Sequence, residues 1–472
     1  MDERLSKPTP EEAAHISDVF KAYDIRGTTP DELTPDLAYR IGRALVAEMQ
    51  PDEVAVGRDM RLSGQVLSAA LIDGIRDGGA DVSNLGLVST DALYFAVGHY
   101  GYPAGVMVTA SHNPAEYNGF KLCRDEAKPV SLDTGLGAIR DRVLAGYDPT
   151  AAGAKRGSVQ QRNILDAYAD YLLSLVDVGK IGRLKIAIDA GNGMAGLTAP
   201  KVFAKLPVEV VPLFFDLDGS FPNHPANPIE PANIVDLQRT VIEQRCDFGV
   251  AFDGDADRMF LVDERGAFVG GDMVTAMVAV KMLQQHPGST IVYNLICSRS
   301  VPETIERLGG RAIRSRVGHS YIKALMRQED AIFGGEHSGH FYFRKLWFAD
   351  SGMLALLTVL VLVSEAGVPL SEVVRPLDTR VRSGEINSEV ADPAGRMLEV
   401  ERHFVAEGGE VDHLDGVTIN FPTWWFNLRP SNTQPLLRLN VEANDRQTLD
   451  AKTREVLALV RASSLSPTSE EH

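Results

Sequence analysis

Asp253, Asp255 and Asp257 stand at every second position of the run Asp253-Gly254-Asp255-Ala256-Asp257-Arg258. In an extended segment that spacing turns alternate side chains to one side. Three carboxylates gathered there repel one another unless a divalent cation lies among them, and hard oxygen ligands suit Mg2+. An EF-hand is a rival reading, because Glu264 falls at loop position 12, but position 6 is Arg258 where that turn needs glycine. A solvated acidic turn is the plainer alternative. The apolar runs at 248–252 and 259–262 argue against it, since a strand feeds the loop on each side.

Three other loops carry reactive groups. Thr109-Ala110-Ser111-His112-Asn113-Pro114 presents Ser111 after the apolar run 105–108. A serine hydrolase would need a separate base and an orienting acid. His112 is adjacent in sequence, which is poor geometry for that role, and no G-x-S-x-G pattern is present. An Asn-Pro turn capped by Ser111 is the alternative. In Gly334-Gly335-Glu336-His337-Ser338-Gly339-His340, Glu336 can accept hydrogen bonds from two neighbouring sugar hydroxyls. His337 reads as structural, whereas His340 and His319 are polar site candidates. Arg429-Pro430-Ser431-Asn432-Thr433 combines a guanidinium with hydroxyl, amide and backbone donors, which suits a phosphate. Ala22-Tyr23-Asp24-Ile25-Arg26-Gly27 and Gly57-Arg58-Asp59-Met60-Arg61 add further arginines. Gathered in one cleft, such cations make a local anion site. For Arg61 a surface ion pair is the reading adopted.

The elements that must hold these loops follow from periodicity. Apolar runs at 54–56, 185–188 and 290–293 each lead through a polar turn into a helical pattern. In the first such helix, Val66, Leu67, Ala70, Leu71 and Ile75 share one face; in the third, Pro302 opens the helix and Gly309 follows it. Each stretch then yields a second apolar run that ends in TASHNP, DGDADR or GGEHSGH. Alternating strands and helices predict α/β domains with mainly parallel or mixed sheets. Sites in such sheets form beyond the carboxyl ends of strands, so three similar domains facing one cleft are expected. Residues 147–163 read as a linker, and 353–363 as a buried helix stopped by Gly367 and Pro369. From about residue 378 strands at 417–421 and 436–441 and a helix at about 446–462 predict a smaller α+β domain.

Composition narrows the classes. The 472 residues are 44% hydrophobic and 24% charged, with net charge −17, which argues against a nucleic-acid binder. No apolar stretch is long enough to span a membrane. Three scattered cysteines, Cys123, Cys246 and Cys297, form neither a disulfide framework nor a zinc spacing. The first fifteen residues hold no apolar signal region, so a cytoplasmic protein is expected.

Together these loops resemble those of the α-D-phosphohexomutase family, in the expected order, from Tyr23 to Glu442. AYDIRG and GE-x-SGH look most like its bacterial phosphomannomutase/phosphoglucomutase branch. The resemblance implies three α/β domains and a C-terminal α+β domain, heart-shaped around a central cleft, with boundaries expected at 1–155, 156–266, 267–377 and 378–472. It implies a monomer or weak dimer, one Mg2+ per chain, phosphorylated mannose or glucose as substrate and a hexose 1,6-bisphosphate intermediate. Ser111 would carry the phosphoryl group, and Ser111, Asp253, Asp255 and Asp257 would hold the metal. Lys121, ten positions after Ser111, would act with Arg26, Arg258 and His319 in catalysis. Lys121 and His319 are the acid/base candidates. Tyr23, Glu336, Ser338 and His340 would grip the sugar, and Arg429, Ser431, Asn432 and Thr433 the phosphate that is not reacting. Some relatives place a substrate-binding lysine near Ile296; this chain has none there. Phosphoglucosamine mutase, a Mg2+-dependent phosphatase and a non-catalytic phosphosugar-binding protein are the competing readings.

Overall fold

Apolar β-branched runs that end abruptly in polar, glycine-containing loops form strands, and the amphipathic segments between them form helices. The structure, a computed structural model, describes residues 6–146, 155–430 and 436–462. Its strands form four sheets.

The first three sheets share a plan. Parallel strands lie on one side, and an antiparallel pair closes the other edge. In the first, Ala104–Val108, Glu53–Arg58, Asp81–Leu87 and Val159–Gln161 run parallel, while Tyr117–Arg124 and Ile25–Thr28 are antiparallel additions. In the second, Phe248–Phe252, Leu184–Asp189 and Val208–Leu213 are parallel, and Met259–Asp263 and Phe268–Val269 are not. In the third, Phe333–Gly335, Thr290–Asn294 and Arg311–Ser315 are parallel, followed by antiparallel Phe341–Phe343 and Ala349–Asp350. The sheets are therefore mixed. Each polar loop singled out in the sequence is the turn from the last parallel strand into its antiparallel neighbour, which puts three loops at one topological position.

Several local expectations shift. Residues 159–161, inside the expected linker, pair with Asp81–Leu87 and extend the first sheet past residue 155. Phe268–Val269 likewise belongs to the second sheet, past residue 266. In the helix Gly64–Asp77, Leu67, Leu71 and Ile75 are buried, but Val66 is 57% exposed. The helix Gly352–Ala366 is buried from 352 to 363 and ends at Gly367 with φ 64°, a left-handed stop that favours glycine. Among the described residues no helix is long and apolar enough to cross a membrane.

One apolar core joins the first three units, running from Ala55 to Leu377. Asp91 fastens the same three units with polar bonds. Its carboxylate accepts from Ser89 Oγ at 2.5 Å, Tyr168 OH at 2.6 Å and Ser351 Oγ at 2.5 Å. The fourth sheet is antiparallel throughout and has its own core, centred on Phe404 and Phe426. Its junction with the third unit is polar. Arg299 donates to Phe421 O at 3.0 Å and Asn420 Oδ1 at 2.9 Å, and Arg380 pairs with Glu303 at 2.5 Å.

Candidate active site

Ser111 opens the turn after Ala104–Val108 with φ 50°, left-handed for a non-glycine residue. Such strain persists only where surroundings over-determine it. Arg61 supplies those surroundings. Its side chain is wholly buried beside buried Asp59, 3.4 Å away. Its two terminal nitrogens donate to four backbone carbonyls of the loop: Pro114 and Tyr117 at 2.6 and 2.8 Å, Ser111 and Asn113 at 2.8 and 2.6 Å. Phe221 from the second unit covers the guanidinium at 5.2 Å. The surface ion pair expected for Arg61 is thus overturned: tertiary packing buries it and makes it the clamp of the serine loop. Burial pushes the Asp59 carboxyl up to about 6 against the pull of Arg61. Lysine cannot make a four-way fork. Arg61→Lys should therefore lower kcat by about 10²-fold and speed amide hydrogen exchange across residues 110–117. Unchanged exchange and turnover would show the clamp to be idle.

The aspartate loop is pressed against this turn. A Cβ on Gly254 would lie 2.5 Å from the Ser111 carbonyl oxygen, so only glycine permits the approach. Met194 N–H donates to Gly254 O at 2.9 Å, and Thr90 N–H and Oγ hold Asp255 at 3.0 and 2.5 Å. The result is contact between two units: Ser111 Oγ donates to Asp253 Oδ2 at 2.6 Å. Asp253, Asp255 and Asp257 are all buried, and one oxygen from each lies within 4.8 Å of the others. Lys121 Nζ sits 2.7 Å from Asp255 and 2.5 Å from Asp257. Asp255 Oδ1 and Asp257 Oδ1 nevertheless remain buried without a hydrogen-bond donor among the described residues. Spare buried carboxylate oxygens of this kind fit a small divalent cation. His112, set aside for its adjacency in sequence, does approach: its Nδ1 is 3.3 Å from Ser111 Oγ.

Arg258 links the aspartate loop to the third unit. Its N–H donates to Asp253 Oδ1 at 3.1 Å and its Nε to His340 Nε2 at 3.1 Å. The two residues also form a backbone bridge. His340 Nδ1 then lies 3.2 Å from Glu336 Oε2 and 3.1 Å from Ser338 Oγ. Burial alone would raise the Glu336 carboxyl; hydrogen bonds from His340 and Tyr342 outweigh it and hold it at about 2. Glu336 is 1% exposed and already accepts from Tyr342 OH at 2.7 Å, so His340 is the residue of this loop that lines the cleft. His337 is half-buried, and its backbone N–H donates to Asn294 Oδ1 at 3.4 Å.

These groups surround a cavity of about 620 Å³, lined by Tyr23, Arg26, Lys121, Arg258, His319 and His340. The volume is in the range of small-molecule sites. Arg26 Nη1 donates to Asn113 Oδ1 at 3.0 Å and also pairs with Asp24. Tyr23 reaches the third unit, with its ring edge-on to His319 at 5.4 Å. Burial, reinforced by Lys323, pushes His319 down to about 3, so its ring stays neutral and is a weak base. Ser111 and Asp253 are themselves fully buried; their neighbours Asn113, Lys121 and Asp257 face the cavity. From the fourth unit Arg438 lines the cavity, a residue that the sequence did not flag. Arg429 lies opposite it on the adjacent strand. Ser431, Asn432 and Thr433 lie outside the described residues.

The chain was compared with known proteins. Four family models match in order: phosphoglucomutase/phosphomannomutase α/β/α domain I at residues 17–147, domain II at 166–266, domain III at 270–379 and the C-terminal domain at 385–463. A phosphomannomutase of Salmonella montevideo is 43% identical over 450 residues, covering 94% of this chain and 99% of that one. A protein of Xanthomonas campestris pv. campestris described as phosphohexose mutases is 43% identical over 444 residues, covering 94% and 99%. A crystal structure of a phosphoglucomutase/phosphomannomutase family protein from Burkholderia thailandensis superposes with TM-score 0.85 at 32% identity, covering 94% and 98%. Matches that span all four sheets and the loops between them leave one assignment: the chain belongs to the phosphoglucomutase/phosphomannomutase family.

Proposed function

We propose that the chain is a phosphohexomutase, acting on mannose phosphates and also on glucose phosphates, that interconverts the 1-phosphate and the 6-phosphate. The observation that carries this is the 2.6 Å contact between Ser111 Oγ and a buried aspartate trio at the edge of a cation-lined cavity. Phosphoryl transfer needs positioning and charge neutralisation more than covalent chemistry, and the cleft is built for both.

Phosphorylated Ser111 donates its phosphoryl group to the free hydroxyl of a bound hexose monophosphate. A bond from that hydroxyl oxygen to phosphorus forms as the Oγ–P bond breaks, and the hydroxyl proton passes to an acid/base group of the cleft, for which Lys121 and His319 are the candidates. The resulting hexose 1,6-bisphosphate turns over within the cleft. Its other phosphate then returns to Ser111. Asp253, Asp255 and Asp257, with an oxygen on Ser111, would hold Mg2+. When bound, that ion supplies neutralisation of the phosphoryl oxygens during transfer. Lys121, Arg26 and Arg258 surround the same oxygens with fixed positive charge, and His340, oriented by Glu336 and Ser338, faces the sugar.

The 3- and 4-hydroxyls exchange places when the ring flips, so a site that grips them accepts both orientations. Glucose and mannose differ only at C2, which supports use of both. The test is incubation with mannose 1-phosphate or glucose 1-phosphate, Mg2+ and a trace of hexose 1,6-bisphosphate. Conversion to the 6-phosphates is expected. No product from any hexose phosphate would overturn the reading, and net release of inorganic phosphate would favour a phosphatase instead.

A further inference from the structure

Asp255 and Asp257 share a pattern that the gathering of three carboxylates does not by itself require. On each, Oδ2 is taken by a protein donor, and Oδ1 is buried with no donor among the described residues. For Asp257 the donor is Lys121 Nζ at 2.5 Å. Asp255 Oδ2 has two donors: Lys121 Nζ at 2.7 Å and Thr90 Oγ at 2.5 Å. Lys121 is a flexible amine divided between two aspartates. The Thr90 hydroxyl has one proton to give, and it goes to Asp255.

Thr90, which the sequence did not flag, is built to hold that proton in place. It is fully buried, and it opens the helix Thr90–Tyr100. Its side chain is β-branched and therefore stiff. Its N–H also donates to the Asp255 carbonyl at 3.0 Å, so one residue of the first unit grips both the backbone and the side chain of one residue of the second. The next residue is Asp91, whose bonds to Ser89, Tyr168 and Ser351 anchor the start of this helix to three units.

The consequence concerns which cation fits. A carboxylate whose Oδ2 is saturated offers Oδ1 alone, in one orientation. Mg2+ demands near-ideal octahedral geometry, whereas Ca2+ tolerates irregular shells and takes carboxylates by one oxygen or by both. Hydrogen-bond partners behind a ligating group fix its orientation and tune the affinity. We propose that Thr90 is a positioning residue of the metal site: by occupying Asp255 Oδ2 it presents Oδ1 as a single-oxygen ligand and biases the aspartate trio toward Mg2+ over Ca2+. This role rests on the reading of Asp253, Asp255 and Asp257 as the metal ligands, not on turnover.

The test titrates the full, metal-stripped chain with Mg2+ and, separately, with Ca2+ by calorimetry at fixed ionic strength. Thr90→Val should raise the Mg2+ dissociation constant about 10- to 100-fold, the scale of one outer partner, and the Ca2+ constant by less, so the preference for Mg2+ narrows. Thr90→Ala, which presses no methyl group on the carboxylate, should follow Val and covers the case in which Val does not fold. Thr90→Ser restores the hydroxyl and should keep both constants near wild type. Mg2+ affinity unchanged in the variants without a hydroxyl overturns the role. Equal weakening of both ions overturns the selectivity, and a serine variant as weak as alanine assigns the effect to packing and overturns the hydroxyl's part in it. If wild type binds Mg2+ in this Thr90-dependent way yet converts no hexose phosphate, the phosphohexomutase reading fails and the positioning role stands. Wild type that binds neither ion overturns the metal site itself.

Discussion

Replacement of Ser111 by alanine should lower mutase turnover by at least about 10⁴-fold, the scale seen when a covalent carrier is removed, while the protein stays folded and still binds hexose phosphate. The reasoning is geometric. Ser111 Oγ makes its hydrogen bond to Asp253, and the loop is held by Arg61 through backbone carbonyls that alanine retains. The expected stability cost is that of one buried acceptor losing its donor, roughly 1–3 kcal/mol. The cations that line the cavity, Arg26, Lys121 and Arg258, are untouched. The decisive measurement is peptide mass spectrometry after incubation with hexose 1,6-bisphosphate. Wild type should gain one phosphoryl group on the peptide containing Ser111, and the alanine variant none. Turnover near the wild-type rate in the variant would remove Ser111 as the phosphate carrier.

The serine and aspartate loops were legible because their flanks are simple. Apolar strands run directly into them, as at Ala104–Val108 and Phe248–Phe252, and nothing but a turn separates each from its antiparallel neighbour. Residue types and spacing therefore survive folding almost unaltered: three aspartates at alternate positions do converge. What eluded the sequence depends on contacts between distant segments. Arg61 reads as a surface residue until the second unit lays Phe221 over it. His112 approaches Ser111 because the left-handed turn bends the backbone there. Arg438 lies in what reads as an ordinary strand. Its register opposite Arg429 is set across the hairpin, and its counter-charge comes from a strand more than fifty residues earlier. Residues 159–161 hold too little apolar character to announce a strand, and they pair only because the edge of the first sheet is open to them.

The aspartate trio yields the second large effect, and it separates metal binding from folding. Asp253, Asp255 and Asp257 are each fully buried; Lys121 answers Asp255 and Asp257, so without the metal the remaining repulsion falls on Asp253, whose carboxyl is pushed well up by burial and by its two neighbours. Asp253→Asn removes one of the three charges while the backbone bond from Arg258 to its Oδ1 can persist. The metal-free variant should therefore melt no lower than metal-free wild type. Its response to Mg2+ is expected to be very different. Wild type should gain stability on titration, by about 2.7 kcal/mol when the ion reaches a hundred times its dissociation constant. Loss of a direct carboxylate ligand should weaken Mg2+ by at least about 100-fold, since even outer partners are worth 10- to 100-fold, so the variant should gain little at the same concentration. Turnover should fall about 10³-fold, the scale of losing one preorganised electrostatic contact to a transition state, and chelation should abolish what remains in both proteins until Mg2+ is restored. A variant that still melts higher with Mg2+ by the wild-type increment would place the ion elsewhere, because a shared ligand cannot be neutralised without cost to the cation it holds.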